Sequence, residues 1–455
     1  MSSPAAAGDR LGHAHVLAIA VPIVLANVTT PLIGLVDTAV LGQLGDPRYI
    51  GGVAIGAMLF NLLYWGFGFL RMGPTGLTAQ AEGSGDRGEI GATLMRAMLI
   101  AASAGMLLII CQQPISAISF ALLNGSEAVE SSALEYFAIR IWAAPAALAN
   151  LAFLGWFIGM GRARTALVLQ LLLNGTNAIL DAWFVLALGF GVEGVAYGTL
   201  ISETLAAMTG LWLALGMVKR RDITFESPRI LNPAAIRRTF SVNRDILIRT
   251  LGVIFAFTWF TAKSAEAGDV ILAANAVLMT LTHMAAYFLD GFAFSVETLG
   301  GQAIGAGRIN RFRDAVRLST LWAILFSAMA SAVFWFAGHF IIDVLTVNEA
   351  VRASARVYLI WTALVPVTGV MAYQLDGIFI GATRTADMRN MMLLSLAVYL
   401  LMWALLTPVY GNHGLWAAIL IFLSFRAVTL GLRYPALVRG AFPSAQEQTI
   451  QAGWS

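Results

Sequence analysis

Apolar runs of about 20 residues, each closed by glycine, proline or charged positions, recur along the whole chain. That is the length a helix needs to cross a hydrocarbon core of about 30 Å. The breaks predict twelve spans, near residues 15–43, 51–81, 92–114, 133–156, 166–188, 193–217, 245–266, 270–303, 315–338, 356–380, 389–409 and 414–435. Helices are the expected form, because an open sheet would leave backbone groups unpaired in lipid.

Composition agrees with the pattern. Of 455 residues, 59% are hydrophobic and 12% charged, and the mean hydropathy is +0.78, whereas a soluble domain carries about a quarter charged residues. The chain is therefore expected in a lipid bilayer. A single cysteine, Cys111, and five scattered histidines supply neither a disulfide framework nor a zinc or iron–sulfur site. No cofactor is expected, and any bound ion must be held by oxygen. The net charge of +3 does not argue for nucleic acid, since basic residues of membrane proteins gather in cytoplasmic loops. The start, MSSPAAAGDRLGHAH, is short and polar, and unlike a cleaved signal peptide.

With both termini cytoplasmic, the inner segments collect twenty Lys and Arg, against four in the outer ones: Arg48, Lys263, Arg352 and Arg356. That bias supports an even number of spans. Arg71, Arg140, Arg249 and Arg426 stay at or near membrane depth. The longest basic stretch, Lys219 to Arg244, divides the chain into an amino-terminal lobe of six spans (1–218), a cytoplasmic linker (219–244), a carboxy-terminal lobe of six (245–440) and a tail (441–455).

The two halves also match each other. Gln80, Ala81, Gly83 and Gly85 reappear 222 residues later as Gln302, Ala303, Gly305 and Gly307. The same offset carries Phe157, Ile158, Gly159 and Arg162 to Phe379, Ile380, Gly381 and Arg384. Six intervening spans keep the copies in the same orientation, and parallel repeats of this kind are a transporter architecture.

Ionisable side chains inside spans cost several kcal/mol at the bilayer centre, so each is a functional candidate. They are Asp37, Arg71, Asp181, Asp290, Glu297 and Asp376. Asn174, Asn177 and Asp181 follow a spacing that lines one helical face, and Asp37, in span one, falls at a similar depth. Thr199 in span six adds a hydroxyl at that level. Two carboxylates with amide and hydroxyl oxygens suit Na⁺ or a shared proton. The alternative to a functional site is a pair of packing aspartates, or a carboxylate neutralised by Arg71. Asp290 is either a substrate or coupling residue or the structural partner of Arg71 or Lys263. Pro22, Pro145 and Pro366 fall inside spans, where proline removes a hydrogen bond and bends the helix; for Pro145 and Pro366 a static kink is expected. No GxSxG, HExxH or P-loop is present, so neither hydrolytic chemistry nor ATP-driven transport is expected.

Twelve spans in two related sixes, with Asp37 in span one and AQAEGSG after span two, resemble the multidrug and toxic compound extrusion (MATE) family. PLIGLVDTAVLGQLGD, LRMGPTGLTAQAEGSG, NAVLMTLTHMAAYFLDGFAFSVETLGGQAIGAG and LDGIFIGATR are similar to stretches of its DinF-like branch. The resemblance implies an all-α integral membrane protein whose two pseudo-symmetric six-helix lobes rock about a central cavity. It implies export of small organic compounds, often cationic or amphiphilic, driven by entry of H⁺ or Na⁺, from a monomer in a bacterial inner membrane. By position, Asp37 resembles the family's titratable aspartate, and Asn177, Asp181 and Thr199 the rest of an amino-lobe cation site able to take Na⁺. Asn150 adds a further oxygen, and Pro22 matches the proline at which span one bends. Asp376 fits the aspartate of a second, carboxy-lobe site, but span seven, TLGVIFAFTWFTA, lacks the carboxylate that site needs. The competing readings are a lipid or lipid-linked oligosaccharide flippase of related two-lobe fold, which would need a basic cavity, and a membrane enzyme or receptor, which would need a catalytic constellation or a soluble domain.

Overall fold

The computed structural model describes residues 10–44, 46–122 and 126–443. The first nine residues of the chain and most of the tail assigned to 441–455 lie outside the described residues. Among the described residues the secondary structure is helical throughout, and the twelve expected spans are all helices. α1 is His13–Gly42, α2 Pro47–Gly66, α3 Phe69–Ser84, α4 Arg87–Ile110, α5 Gln112–Leu122, α6 Glu127–Arg140, α7 Ala144–Gly159, α8 Ala163–Ala182 and α9 Val192–Arg220. They continue with α10 Ser227–Ile230, α11 Pro233–Glu266, α12 Asp269–Gly305, α13 Ile309–Leu345, α14 Glu349–Gly381, α15 Thr385–Tyr410 and α16 Asn412–Ala441. Exposed Trp212, Phe336, Phe340 and Leu432 present apolar surface outward, as a multi-pass membrane protein requires.

Several boundaries differ from the apolar pattern, each for a local reason. The span expected at 51–81 is two helices, α2 and α3, interrupted at Phe67-Gly68. The span at 133–156 passes through a 3₁₀ turn, Ile141–Ala143, and Pro145 falls in the first turn of α7. Proline is tolerated there because its missing N–H would have no helical partner. The basic linker assigned to 219–244 is partly helical, since α11 already begins at Pro233. Its polar start continues the helix beyond the apolar run, so hydropathy alone set the boundary too late. Asp46 opens α2 by accepting from Arg48 N at 3.0 Å. Asp86 does the same for α4 through Glu89 N at 3.0 Å, satisfying donors that helix starts leave open.

The chain forms two compact units. One comprises Leu25–Glu82 and Asp86–Asn243, and the other the described residues of Met1–Val24, Gly83–Gly85 and Arg244–Ser455. The start of α1 thus belongs with the carboxy-terminal helices, where the charge pattern had put all of 1–218 in the amino-terminal lobe. There Ser295 Oγ donates to Val16 O at 3.2 Å, Leu11 N to Asp314 at 3.3 Å, and Trp322 Nε1 to His13 Nδ1 at 3.1 Å.

In the amino-terminal unit, α4 packs on α7, α8 on α9, and α2 on α6, with α9 also against α6 and α7. In the carboxy-terminal unit, α14 packs on α12, α13 and α16, and α15 on α16. The internal repeat is visible in how these helices touch. A Cβ on Gly155 would lie 2.2 Å from Arg71 O, and one on Gly377, 222 residues on, 2.3 Å from Ala293 O. A Cβ on Gly159 would lie 2.6 Å from Thr75 O, and one on Gly381 2.4 Å from Glu297 O. Arg71 and Thr75 plus 222 are Ala293 and Glu297, so both partners of both contacts obey the offset. Each crossing brings backbone against backbone, the close approach that small residues permit between membrane helices. Gly85 and Gly307, also a repeat pair, end α3 and α12 with φ of +72° and +66°, a region glycine enters without strain.

Candidate ion-coupling site

The amino-terminal unit gathers the predicted carboxylates. On α8, Asn174, Asn177 and Asp181 are all buried, while Ile179 on another face of the same helix is 70% exposed. The polar stripe therefore points into the protein. Asp181 is fully buried and stands one helical residue before a π turn, Trp183–Ala187; such turns are frequent at functional sites. Gly198 on α9 is what makes room for it, since a Cβ there would lie 1.9 Å from Asp181 Oδ1. One residue on, Thr199 Oγ1 accepts from Asn177 Nδ2 at 3.3 Å.

Asp37, on α1, and Asp181 lie near enough for their charges to act on each other, and the charge of Arg140 on α6 acts on both. Neither oxygen of Asp181, nor Oδ1 of Asp37, has a conventional hydrogen-bond partner among the described residues. An isolated buried carboxylate is costly, so this pair calls for a proton, a cation or a nearby guanidinium. The arrangement can bind and release a small positive charge.

Other predicted residues sit around this pair or apart from it. Asn150 on α7 donates to Glu203 O at 3.0 Å, leaving its own Oδ1 unpartnered. Asn174 donates to Thr29 Oγ1 at 2.6 Å and accepts from Gln170 at 3.0 Å, which ties α8 to α1. Arg71 lies on α3, where its carbonyl receives Gly155; the charge of Arg140 acts on the Asp37–Asp181 pair. Pro22 is buried within α1.

In the carboxy-terminal unit Asp376 is bound by arginine. Its Oδ2 accepts from Arg426 Nη2 at 2.5 Å and also from Arg249 Nη2, and all three residues are buried. Asp290 shares the neighbourhood of Tyr373 with these three groups. Lys263, considered from the sequence as a partner for Asp290, pairs with Glu266 at 2.5 Å instead. Its ammonium lies 4.9 Å from the Trp259 ring and 5.1 Å from that of Trp403.

Two participants escaped the sequence reading. Glu203, buried on α9, lies within the field of Arg140. Its signal was present, as an acid inside the apolar run of span six, four residues beyond Thr199 and so on the same face. Arg140 stands out in the sequence only for its depth; its nearness to three acids on α1, α8 and α9 is a matter of helix packing.

The MatE family model matches this chain twice, over residues 22–183 and 247–406. The chain belongs to the MatE family. The two matches fall on the two halves of the internal repeat. Among curated relatives, DNA damage-inducible protein F of Escherichia coli (strain K12) is 42% identical over 417 residues, covering 90% of each chain. A probable multidrug resistance protein NorM of Rhizobium meliloti (strain 1021) is 25% identical, covering 94% of this chain and 95% of its own. A crystal structure of a MATE protein in the bent conformation superposes with a TM-score of 0.84 at 19% identity, covering 94% of this chain and 96% of that one. This MatE-family chain is thus a membrane transporter of the MATE fold with a DinF-like sequence.

Proposed function

We propose that this transporter exports small organic compounds, often cationic or amphiphilic, in exchange for H⁺ or Na⁺, and that Asp37 and Asp181 bind the coupling ion. The observation that carries this reading is the buried, unpartnered Asp181 carboxyl facing Asp37, with Asn177 and Thr199 beside it. Asp376 differs in having one oxygen, Oδ2, held by two arginines, whereas neither oxygen of Asp181 has a partner among the described residues. The name of the NorM relative supports drug-like substrates. For exchange to work, ion and substrate must favour different conformations with different affinities. Pro22 is the proposed point of bending, two residues before α1 passes from one compact unit to the other. A rocker-switch motion of the two lobes completes the scheme. The chain works as a monomer in the bacterial inner membrane, with both termini cytoplasmic, as the positive charge of the inner segments supports.

The test uses proteoliposomes with an imposed proton gradient and a pH-reporting dye. Adding an organic cation such as ethidium should release protons if H⁺ is exchanged, or should be taken up against a Na⁺ gradient without proton release if Na⁺ is, and Asp37→Asn and Asp181→Asn should each abolish the response without lowering expression. Normal export by both variants would exclude this mechanism. No response with either ion in the unmutated protein would favour the flippase reading.

A further inference from the structure

Arg140 is arranged unusually for a cation among acids. It is the last residue of α6, where the helix tightens into the 3₁₀ turn and runs on into α7. Nη1 donates to Tyr136 Oη at 2.6 Å, and the guanidinium lies 4.7 Å from the Phe60 ring centroid. The ionisable groups within its electrostatic reach lie on five helices: Asp37 on α1, Tyr64 on α2, Tyr136 on α6, Asp181 on α8 and Glu203 on α9. Yet none of the three carboxylates is bonded to it, and its Nε has no partner among the described residues. The carboxy-terminal unit shows the contrasting solution, in which Arg249 and Arg426 both bond Asp376 directly.

We propose that Arg140 is a tethered counter-ion which offsets the Asp37–Asp181 pair without bonding it, and thereby excludes Na⁺ while leaving the pair open to protons. This rests on the reading of Asp37 and Asp181 as the coupling pair, and it makes H⁺ the coupling ion. A guanidinium keeps its charge at any physiological pH and cannot leave the chain. Na⁺ would need several oxygens gathered around it beside that fixed charge. A proton bonds to one carboxylate oxygen and needs no coordination shell. The phenol of Tyr136 and the face of Phe60 hold the guanidinium back, through a hydrogen bond and a cation–π contact, so the carboxylates remain vacant. Removing one unit charge from so poorly solvated a site should tighten Na⁺ binding by about tenfold or more.

The experiment is thermal unfolding of the purified full chain, with NaCl exchanged for choline chloride at constant ionic strength. The midpoint of the unmutated protein and of Arg140→Lys should be indifferent to Na⁺. Arg140→Gln should gain a Na⁺-dependent rise, and adding Asp37→Asn should remove it. A Na⁺ response in the unmutated protein, or none in Arg140→Gln, would overturn the proposal. Should the glutamine variant fail to fold, Tyr136→Phe, which frees the guanidinium to pair with the carboxylates, is the second variant; it should stay indifferent to Na⁺, and a response would refute the idea. Ethidium export that survives Asp37→Asn sinks the coupling reading itself. A flat Na⁺ titration in Arg140→Gln, with export lost in Asp37→Asn, sinks only the counter-ion.

Discussion

Replacing Asp376 by asparagine should destabilise the carboxy-terminal unit while sparing ion coupling. Asp376 Oδ2 holds both Arg249 and Arg426, and the three side chains are 6%, 11% and 4% exposed. Breaking a buried ion pair by removing one partner costs about 3–5 kcal/mol. Two guanidiniums left about 5 Å apart repel by about 3 kcal/mol at an effective dielectric of about 20, which is the same order and part of the same cost. With a unit of roughly 200 residues losing about 2–4 °C per kcal/mol, the unfolding midpoint should fall by about 10 °C. Tryptophan fluorescence of the purified protein reads this, since Trp416 is fully buried in the core of that unit, its ring 4.8 Å from that of Phe260. The triple variant Asp376→Leu, Arg249→Met, Arg426→Met removes all three charges together and should recover most of the loss. Substrate-dependent proton release should persist in Asp376→Asn reconstituted below its melting point. A midpoint within a degree of the unmutated protein, or a triple variant worse than the single one, would refute the argument.

Three further outcomes are expected. Gly198→Ala places a methyl 1.9 Å from Asp181 Oδ1, so the carboxyl must move; export should fall at least about tenfold with normal membrane insertion, and full activity in a liposome assay would contradict the site. Gly155→Ala and Gly377→Ala drive a Cβ to 2.2 and 2.3 Å from a facing carbonyl, so each should cost about 1–3 kcal/mol or more; the two midpoints should drop by similar amounts, and a fall in only one would show that the repeat is not energetically equivalent. Arg96 bonds Glu89 at 2.9 and 3.0 Å and caps the carbonyls of Arg229 and Ile230 at 3.1 and 3.3 Å. Arg96→Ala should therefore release the segment carrying α10 and speed its cleavage by trypsin severalfold; unchanged cleavage would mean that other contacts hold it.

The helices were legible from the chain because lipid imposes one demand, continuous apolar length, and hydropathy measures it. What hydropathy misses is backbone behaviour. The break at Phe67-Gly68, the 3₁₀ turn after Arg140 and the helical residues of α11 before Arg244 change few apolar positions. The α8 stripe was readable because Asn174, Asn177 and Asp181 lie on one helix and obey its period. Its meeting with Gly198 and Thr199 depends on the packing of α8 against α9, and the field of Arg140 on Glu203 on that of α6 against α9. Asp376 shows the converse: its position in the sequence resembles a cation ligand, but only its three-dimensional neighbours, drawn from α11 and α16, reveal that the cation is already supplied by the protein. The buried knot of Asn275, Ser264, Asn412 and Trp416, bonded at 2.7–3.0 Å, joins three helices and left no periodic trace at all.

The start of α1 has a consequence for how the chain is made. Leu11 bonds Asp314 across 303 positions, and Val16 receives Ser295 across 279. At about 5–20 residues per second, the start of α1 waits about 15–60 s before its partners exist. During that interval the residues before Val24 have only lipid, water or other proteins for company. An insertion factor that shelters the beginning of α1, or a slow final docking step after synthesis ends, follows from the order in which the ribosome delivers the two sides of that contact.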